Sequence, residues 1–191
     1  FHGGNVNDPK FHELLIRWFQ WAVFSPVLRM HGHRDPITEP EIPWRDGIAQ
    51  CNSGAGNELW SFGNDTFVIL KRFATLREML RPYLRELMRS AHESGEPLMR
   101  PMFYHYPQQT QSWGITDQYL FGADIVVAPV VHAGATVREV WLPAGEVWVE
   151  VNTGQHYHGG VTVNVSAPLS VLPLFVREGA EVLTMIVGTE K

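Results

Sequence analysis

Phe11, Leu14, Leu15, Trp18 and Ala22 recur at three- and four-residue intervals behind Asp8-Pro9. That spacing predicts an amphipathic helix with Asp8 as N-cap, Pro9 as its first residue and this apolar face buried. After Ser25-Pro26, the run Val27 to Met30 is short, apolar and bounded by His31-Gly32, which reads as a buried strand. The following stretch is loop-like, with Pro36, Pro40, Pro43, Gly47, Gly54 and Gly56; a loop of that length in a compact domain is functional or poorly ordered. Ile69, Phe73, Leu76, Leu80, Tyr83, Leu84 and Leu87 then mark one long helix behind Asn64-Asp65-Thr66, kinked at Pro82 and ending at Ser94-Gly95. Pro97 to Tyr106 is expected to be extended.

From about Gln108 the texture changes. Short β-branched runs follow one another at Ile125-Val131, Val137-Leu142, Val147-Val151, Val161-Val165 and Leu172-Val176, separated by Gly and Pro. Regular short strands of this kind indicate an antiparallel sandwich. Pro143-Ala144-Gly145 reads as a hairpin turn joining Trp141 to Trp148, Gly159-Gly160 as another turn, and the two tryptophans as core or hairpin cover. The fold class is therefore α/β followed by all-β, with residues 1–107 and 108–191 as separate units. A (β/α)8 barrel needs about 250 residues, so the first unit is at most the last quarter of one.

Composition narrows the function classes. The chain has 191 residues, 45% apolar and 18% charged, which suits a packed core. A formal net charge of -5 argues against nucleic acid as a partner. The basic residues from Lys71 to Arg89 alternate with apolar ones and read as the wet side of the long helix. One cysteine, Cys51, excludes an internal disulfide framework, and no apolar run approaches the roughly 20 residues that cross a bilayer, so no membrane partner is expected. The start, Phe1-His2-Gly3-Gly4, resembles the interior of a longer polypeptide. Nothing indicates a compartment.

The segment Ser25 to Asp35 is the richest in chemistry. Arg29 and His31 are two apart, so on a strand they point to one side, and both can donate to hydroxyls or to a carboxylate. At the C-terminal end of a barrel strand that is the active-site edge. The bland alternative is an Arg29 paired with a buried carboxylate and a His31 satisfied in the core. His31 and His33, with His2, also invite a metal reading, but a convincing third ligand is missing, and His156 and His158 suit a solvated turn. Ser53-Gly54-Ala55-Gly56 is neither a nucleophile elbow nor a phosphate loop, so no cofactor is expected. Glycoside hydrolysis needs two carboxylates, about 5 to 5.5 Å apart in a retaining enzyme. Asp8 and Asp65 suit helix starts, Asp35 and Asp46 lie in the loop, and Asp117 and Asp124 border the β half; none makes a credible pair. Trp44, Trp60 and Phe62 could stack on sugar rings, though Leu59 and Phe62 look like core companions of Trp60.

Several motifs carry a resemblance. Phe1 matches the end of a D-[IV]-G-G-F segment, and residues 17 to 31, Arg-Trp-Phe-Gln-Trp-Ala-Val-Phe-Ser-Pro-Val-Leu-Arg-Met-His, match R-W-x-Q-x-x-x-F-x-P-x-x-R-x-H. Glu58 to Gly63, Leu80-Arg81-Pro82-Tyr83-Leu84, Gly95 to Pro101, Asp117 to Gly122 and Val127-Ala128-Pro129-Val130 continue the series. In these the chain resembles glycoside hydrolase family 31, the α-glucosidase and α-xylosidase family, along almost its whole length. Leu59 departs from the proline of many relatives.

The resemblance implies the last strands and helices of a catalytic barrel followed by the proximal C-terminal β-sandwich. It implies that His31 hydrogen-bonds the sugar in the −1 subsite, that Phe1 lines that subsite and that Arg29 supports the acidic cluster beneath it, with Trp60 a weaker candidate. The family's nucleophile and acid/base aspartates precede this segment, so no catalytic residue is expected in the chain. The implied partners are an α-linked oligosaccharide or glycoside and the remainder of the barrel; a partial barrel leaves open strand edges that need that remainder or a homo-oligomer. The rival is a self-contained carbohydrate-binding or scaffold module.

Overall fold

The computed structural model describes residues 5–31, 34 and 54–187, with the backbone alone of residues 44–45 and 48–49. Its first helix, α1 (Pro9–Val23), starts as the sequence predicts: the Asp8 carboxylate accepts from the Lys10 N–H at 2.9 Å, and Pro9 sits in the first turn, where a missing N–H costs nothing. The buried face is rotated from the expected one, keeping Leu15 and Phe11 on the core. Leu15, Ile16, Phe19 and Val23 are enclosed with Phe62, Leu70 and Phe73, whereas Leu14 and Trp18 are half exposed. α1 is apolar on more than one side, so packing against its neighbours, not spacing, chooses the stripe.

Residues 27–31 correct the second expectation. They pair with no described strand, and their exposure alternates: Leu28 and Met30 pack on the core while Val27, Arg29 and His31 are exposed. The alternation is that of an extended segment with one covered face, not a buried strand. In the stretch expected to be loop, β1 (Trp44–Arg45) pairs antiparallel with β2 (Ile48–Ala49).

The long helix is two helices, α2 (Asn64–Met79) and α3 (Arg81–Ser94), broken at Leu80 with φ −74 and ψ −2. Pro82 has no N–H for the Glu78 carbonyl, so it serves the first turn of a new helix instead of kinking an old one. α3 ends as expected at Gly95, whose φ of 77 lets its N–H reach the Ala91 carbonyl at 3.1 Å. The segment after it is not extended throughout. β3 (Met99–Arg100) is followed by one helical turn, α4 (Met102–His105).

The β half comprises β4 (Tyr119–Phe121), β5 (Ile125–Val127), β6 (Val137–Leu142), β7 (Val147–Glu150), β8 (His156–His158), β9 (Val161–Ser166) and β10 (Leu174–Arg177), then α5 (Glu181–Val187). An antiparallel sheet runs β3-β4-β5-β10-β7-β8, and β6 pairs with β9. The expected hairpin at Pro143-Ala144-Gly145 is therefore not one, and the turn expected at Gly159-Gly160 also joins two sheets. Pro143–Gly145 and Gly159–Gly160 are adjacent corners that carry the chain between sheets, joined by Gly160 N–H to Leu142 O at 2.7 Å and Gly159 N–H to Glu146 O at 2.9 Å. A Cβ on Gly159 would lie 1.8 Å from the Pro143 carbonyl oxygen, which is why glycine stands there.

The six-stranded sheet is a middle layer with a core on each side. Leu120, Val126 and Phe175 face β6 and β9 with Val140, Leu142 and the fully buried Trp148; Phe121, Ile125, Val127, Leu174 and Val176 face the helices. Successive residues serve opposite cores, so these strands read as unbroken apolar runs. One core thus spans both halves of the chain.

Candidate functional site

The site is built around the exit from α1. The last carbonyls of a helix lack intrahelical donors and carry partial negative charge. Here they are met by Arg77, which reaches across from α2: Nη1 donates to Val23 O and Ser25 O, both at 2.6 Å, and Nη2 to Pro26 O at 2.9 Å. From β4, the Tyr119 hydroxyl donates to Phe24 O at 3.1 Å. Burial pulls the Arg77 guanidinium below its ordinary pKa and pushes the Tyr119 phenol up. Arg77 thus departs from the wet-side reading of the basic residues; Lys71, Arg72, Arg81, Arg85 and Arg89 do lie exposed. Its place on the Phe73–Leu80 stripe was the available signal.

Arg29 and His31 lie on the exposed side of the segment that leaves this turn. Arg34, three residues beyond His31, is 6% exposed and ties the segment to the turn preceding α2. Its Nε donates to Gly56 O at 2.9 Å, its guanidinium sits 5.2 Å from the Phe62 ring centroid, and its own carbonyl accepts from Ala55 N–H at 2.8 Å. A Cβ on Gly54 would lie 2.3 Å from that carbonyl, so Gly54 marks a close backbone approach. Phe62 is buried and Leu59 packs beside it, but Trp60 between them is 68% exposed. The ring is available on the surface rather than spent on packing. In the same turn the exposed Glu58 carboxyl is held below its ordinary pKa by its own backbone N–H and by the Ser61 hydroxyl at 2.8 Å. Phe1, His2 and His33 lie outside the described residues.

α1 is fixed to the β half by a second set of contacts. Glu13 accepts from Gly134 N–H at 2.7 Å, and Gln20 donates to Leu169 O at 2.8 Å. Between them Arg17 donates to Ala167 O at 2.8 Å, Val171 O at 2.9 Å, and Pro168 O and Ala135 O at 3.3 Å. The carboxylates bordering the sandwich are structural partners: Asp124 takes two hydrogen bonds from Arg177, at 2.6 and 3.0 Å, and Asp117 pairs with Arg138 at 2.8 Å. Among the described residues no three His, Cys, Asp or Glu side chains converge as metal ligands would. What the site offers is hydrogen-bond donors and an exposed indole, a set suited to binding a polyhydroxylated ligand.

Comparison with known proteins agrees with this anatomy. Residues 2–87 match the glycosyl hydrolases family 31 TIM-barrel domain, and residues 95–182 the glycosyl hydrolase family 31 C-terminal domain. An α-xylosidase of Saccharolobus solfataricus is 31% identical over 94% of this chain, and human neutral α-glucosidase AB is 36% identical over 93%. The chain spans only 22% and 17% of those two relatives. Among solved structures, a family 31 α-xylosidase from a soil metagenome, complexed with xylose, is 53% identical and superposes with a TM-score of 0.92, over 97% of this chain and 28% of that one. The chain belongs to glycoside hydrolase family 31, of which it holds the end of the TIM barrel and the C-terminal β-sandwich.

Proposed function

We propose that this chain is the sugar-binding C-terminal part of a retaining α-glycosidase of α-xylosidase or α-glucosidase type, which hydrolyses non-reducing-end α-glycosidic bonds with two aspartates outside this chain. Residues 1–107 complete the catalytic barrel and residues 108–191 form the proximal sandwich, with Met99–Arg100 lent to the sandwich's sheet. His31 is the principal sugar donor; Arg29 and Phe1 support the same subsite, and Trp60 offers a stacking surface at its rim. The partners are an α-linked glycoside and the remainder of the barrel, with self-association able to cover the same open edges.

The observation that carries this reading is the exposed Arg29–His31 pair on a segment anchored at both ends, by Arg77 and by Arg34, in a family whose 53%-identical structural relative is an α-xylosidase complexed with xylose. The test is turnover of an aryl α-xyloside and an aryl α-glucoside by the full-length polypeptide and by residues 1–191 alone. The full-length protein is expected to hydrolyse at least one with retention, the piece neither, and His31→Ala in the full-length protein to lower kcat/KM by about 100-fold. Turnover by the piece, or an unaffected H31A variant, sinks the reading.

A further inference from the structure

We propose that Arg77 and Tyr119 are positioning residues for the sugar-binding edge, an inference that rests on the assignment of Arg29 and His31 to sugar binding. Four consecutive carbonyls, those of Val23, Phe24, Ser25 and Pro26, each accept a hydrogen bond from one of these two side chains. The donors come from elements far apart in sequence, α2 and β4, so the turn is held from two directions at once. Ser25 Oγ adds a contact back to Trp21 O in the last turn of α1, at 3.3 Å.

The reason to locate control here is leverage. The segment runs from this clamp to the Arg34 anchor, with Arg29 three and His31 five positions after Pro26. Five extended residues span about 16 Å, so a tilt of about 5° at Pro26 shifts His31 by up to about 1.4 Å, less whatever the Arg34 anchor holds back. A displacement of about 1 Å at a substrate-orienting group is enough to lower catalytic efficiency by about 100-fold. Leu28 and Met30 cover only one face of the segment, so packing alone does not define its direction. A planar guanidinium satisfies three carbonyls because its donors diverge in a fixed fork; a lysine ammonium on a flexible stem does not reproduce that geometry. Arg77 meets no carboxylate in these contacts, so its charge faces the last carbonyl of α1, that of Val23, and two carbonyls of the turn that follows.

The experiment uses the full-length polypeptide carrying Arg77→Ala, Arg77→Lys or Tyr119→Phe, with Arg81→Ala as a control on an exposed ion pair with Glu78. On the aryl glycoside that the parent turns over, R77A is expected to raise KM by about 10-fold or more with a smaller fall in kcat, R77K to recover little, Y119F to raise KM about 2- to 4-fold and R81A to change nothing. Guanidinium at tens of millimolar is expected to reverse part of the R77A defect, because a free cation of the same shape can occupy the vacated carbonyls. Wild-type KM in both R77A and Y119F overturns the inference, as does an R77A defect without guanidinium rescue beside an unaffected Y119F. Should R77A not fold, Y119F, which removes a single hydroxyl, decides. A wild-type polypeptide inactive on both glycosides would instead defeat the proposed function; the positioning role is then read by amide exchange over residues 27–31, expected to quicken about 10-fold in Y119F, and unchanged exchange overturns it.

Discussion

The sheet layers and the helical layer satisfy their backbones in different ways. In the sheets, carbonyls and N–H groups meet one another along ladders, as β6 and β9 do over six paired positions. Where α1 meets the β half, the carbonyls are met by side chains: Arg17 and Gln20 take the loop from Ala167 to Val171, and Arg77 and Tyr119 take the exit of α1. A ladder survives most substitutions because its donors belong to every residue. A carbonyl cluster read by one guanidinium fails together when that residue changes.

Arg17 offers the hardest blow to that comparison. Arg17→Met keeps the length and apolar stem of a side chain that is 9% exposed, but removes four hydrogen bonds to carbonyls outside α1, of which Pro168 O alone keeps a second donor here, the Val171 N–H. Each buried acceptor left without a donor costs about 1 to 3 kcal/mol, and water entering the space recovers part of that, so a loss of about 3 kcal/mol is expected in the denaturant midpoint of the protein. Thr162→Ala, on an exposed position of the β6–β9 ladder, is expected to stay within about 0.5 kcal/mol. Equal effects would mean that the side-chain contacts of α1 are no more vulnerable than a ladder.

The same contrast explains what the sequence made legible. Local signals were readable where backbone chemistry is local: Asp8-Pro9 opens α1 and Gly95 closes α3, and the β-branched runs became strands within a residue or two of their expected ends, except Ile125-Val131, whose strand stops at Val127. Pairing was not readable, since Pro143-Ala144-Gly145 looks like a hairpin whether its flanking strands join each other or two different sheets. α1 misled because its Leu14–Trp18 stripe is as apolar as the one it buries. Of the site, Arg29 and His31 stood out by their spacing, and both lie on one exposed side. Arg77 and Arg34 did not, because the carbonyls they bond, those of Val23, Ser25, Pro26 and Gly56, belong to the backbone and leave no mark in the sequence.

Inside the β half, Gln118 meets a strand's backbone with its side chain. Its side chain imitates a ladder neighbour of β6, donating Nε2–H to Trp141 O at 2.7 Å and accepting Trp141 N–H on Oε1 at 2.9 Å. Gln118→Leu is expected to cost about 1 to 2 kcal/mol, since one donor and one acceptor of a buried peptide lose their partners together. Gln118→Glu keeps the acceptor but turns a carboxylate towards the Trp141 carbonyl, so its cost should grow as pH rises through the carboxylate range. Chemical denaturation of both variants at pH 5 and pH 8 checks this, and a Q118L protein as stable as wild type would place Gln118 among the redundant contacts.

The smallest effect belongs to the stretch joining the two regions. Arg100 donates Nη1–H to His105 Nε2 at 2.5 Å, Nε–H to Pro97 O at 2.6 Å and Nη2–H to Glu96 at 3.0 Å. The imidazole must be neutral to accept, and its pKa is lowered first by desolvation and then by the Arg100 charge, against the opposing pull of Glu96 and Asp124; Arg177 adds to the lowering. A histidine whose folded pKa lies below its unfolded value of about 6.5 binds more protons when unfolded, so its contribution to stability is complete above about pH 6.5 and declines as pH falls towards the folded pKa. His105 is exposed, so solvent screens the effect and the decline should be shallow. His105→Gln retains a side chain that can accept from Arg100 without titrating. The difference in Tm between wild type and H105Q is therefore expected to move in favour of the variant between pH 7.5 and pH 5.5, and a difference that stays constant across that range would show that Arg100 holds the joining stretch through Pro97 and Glu96 without His105.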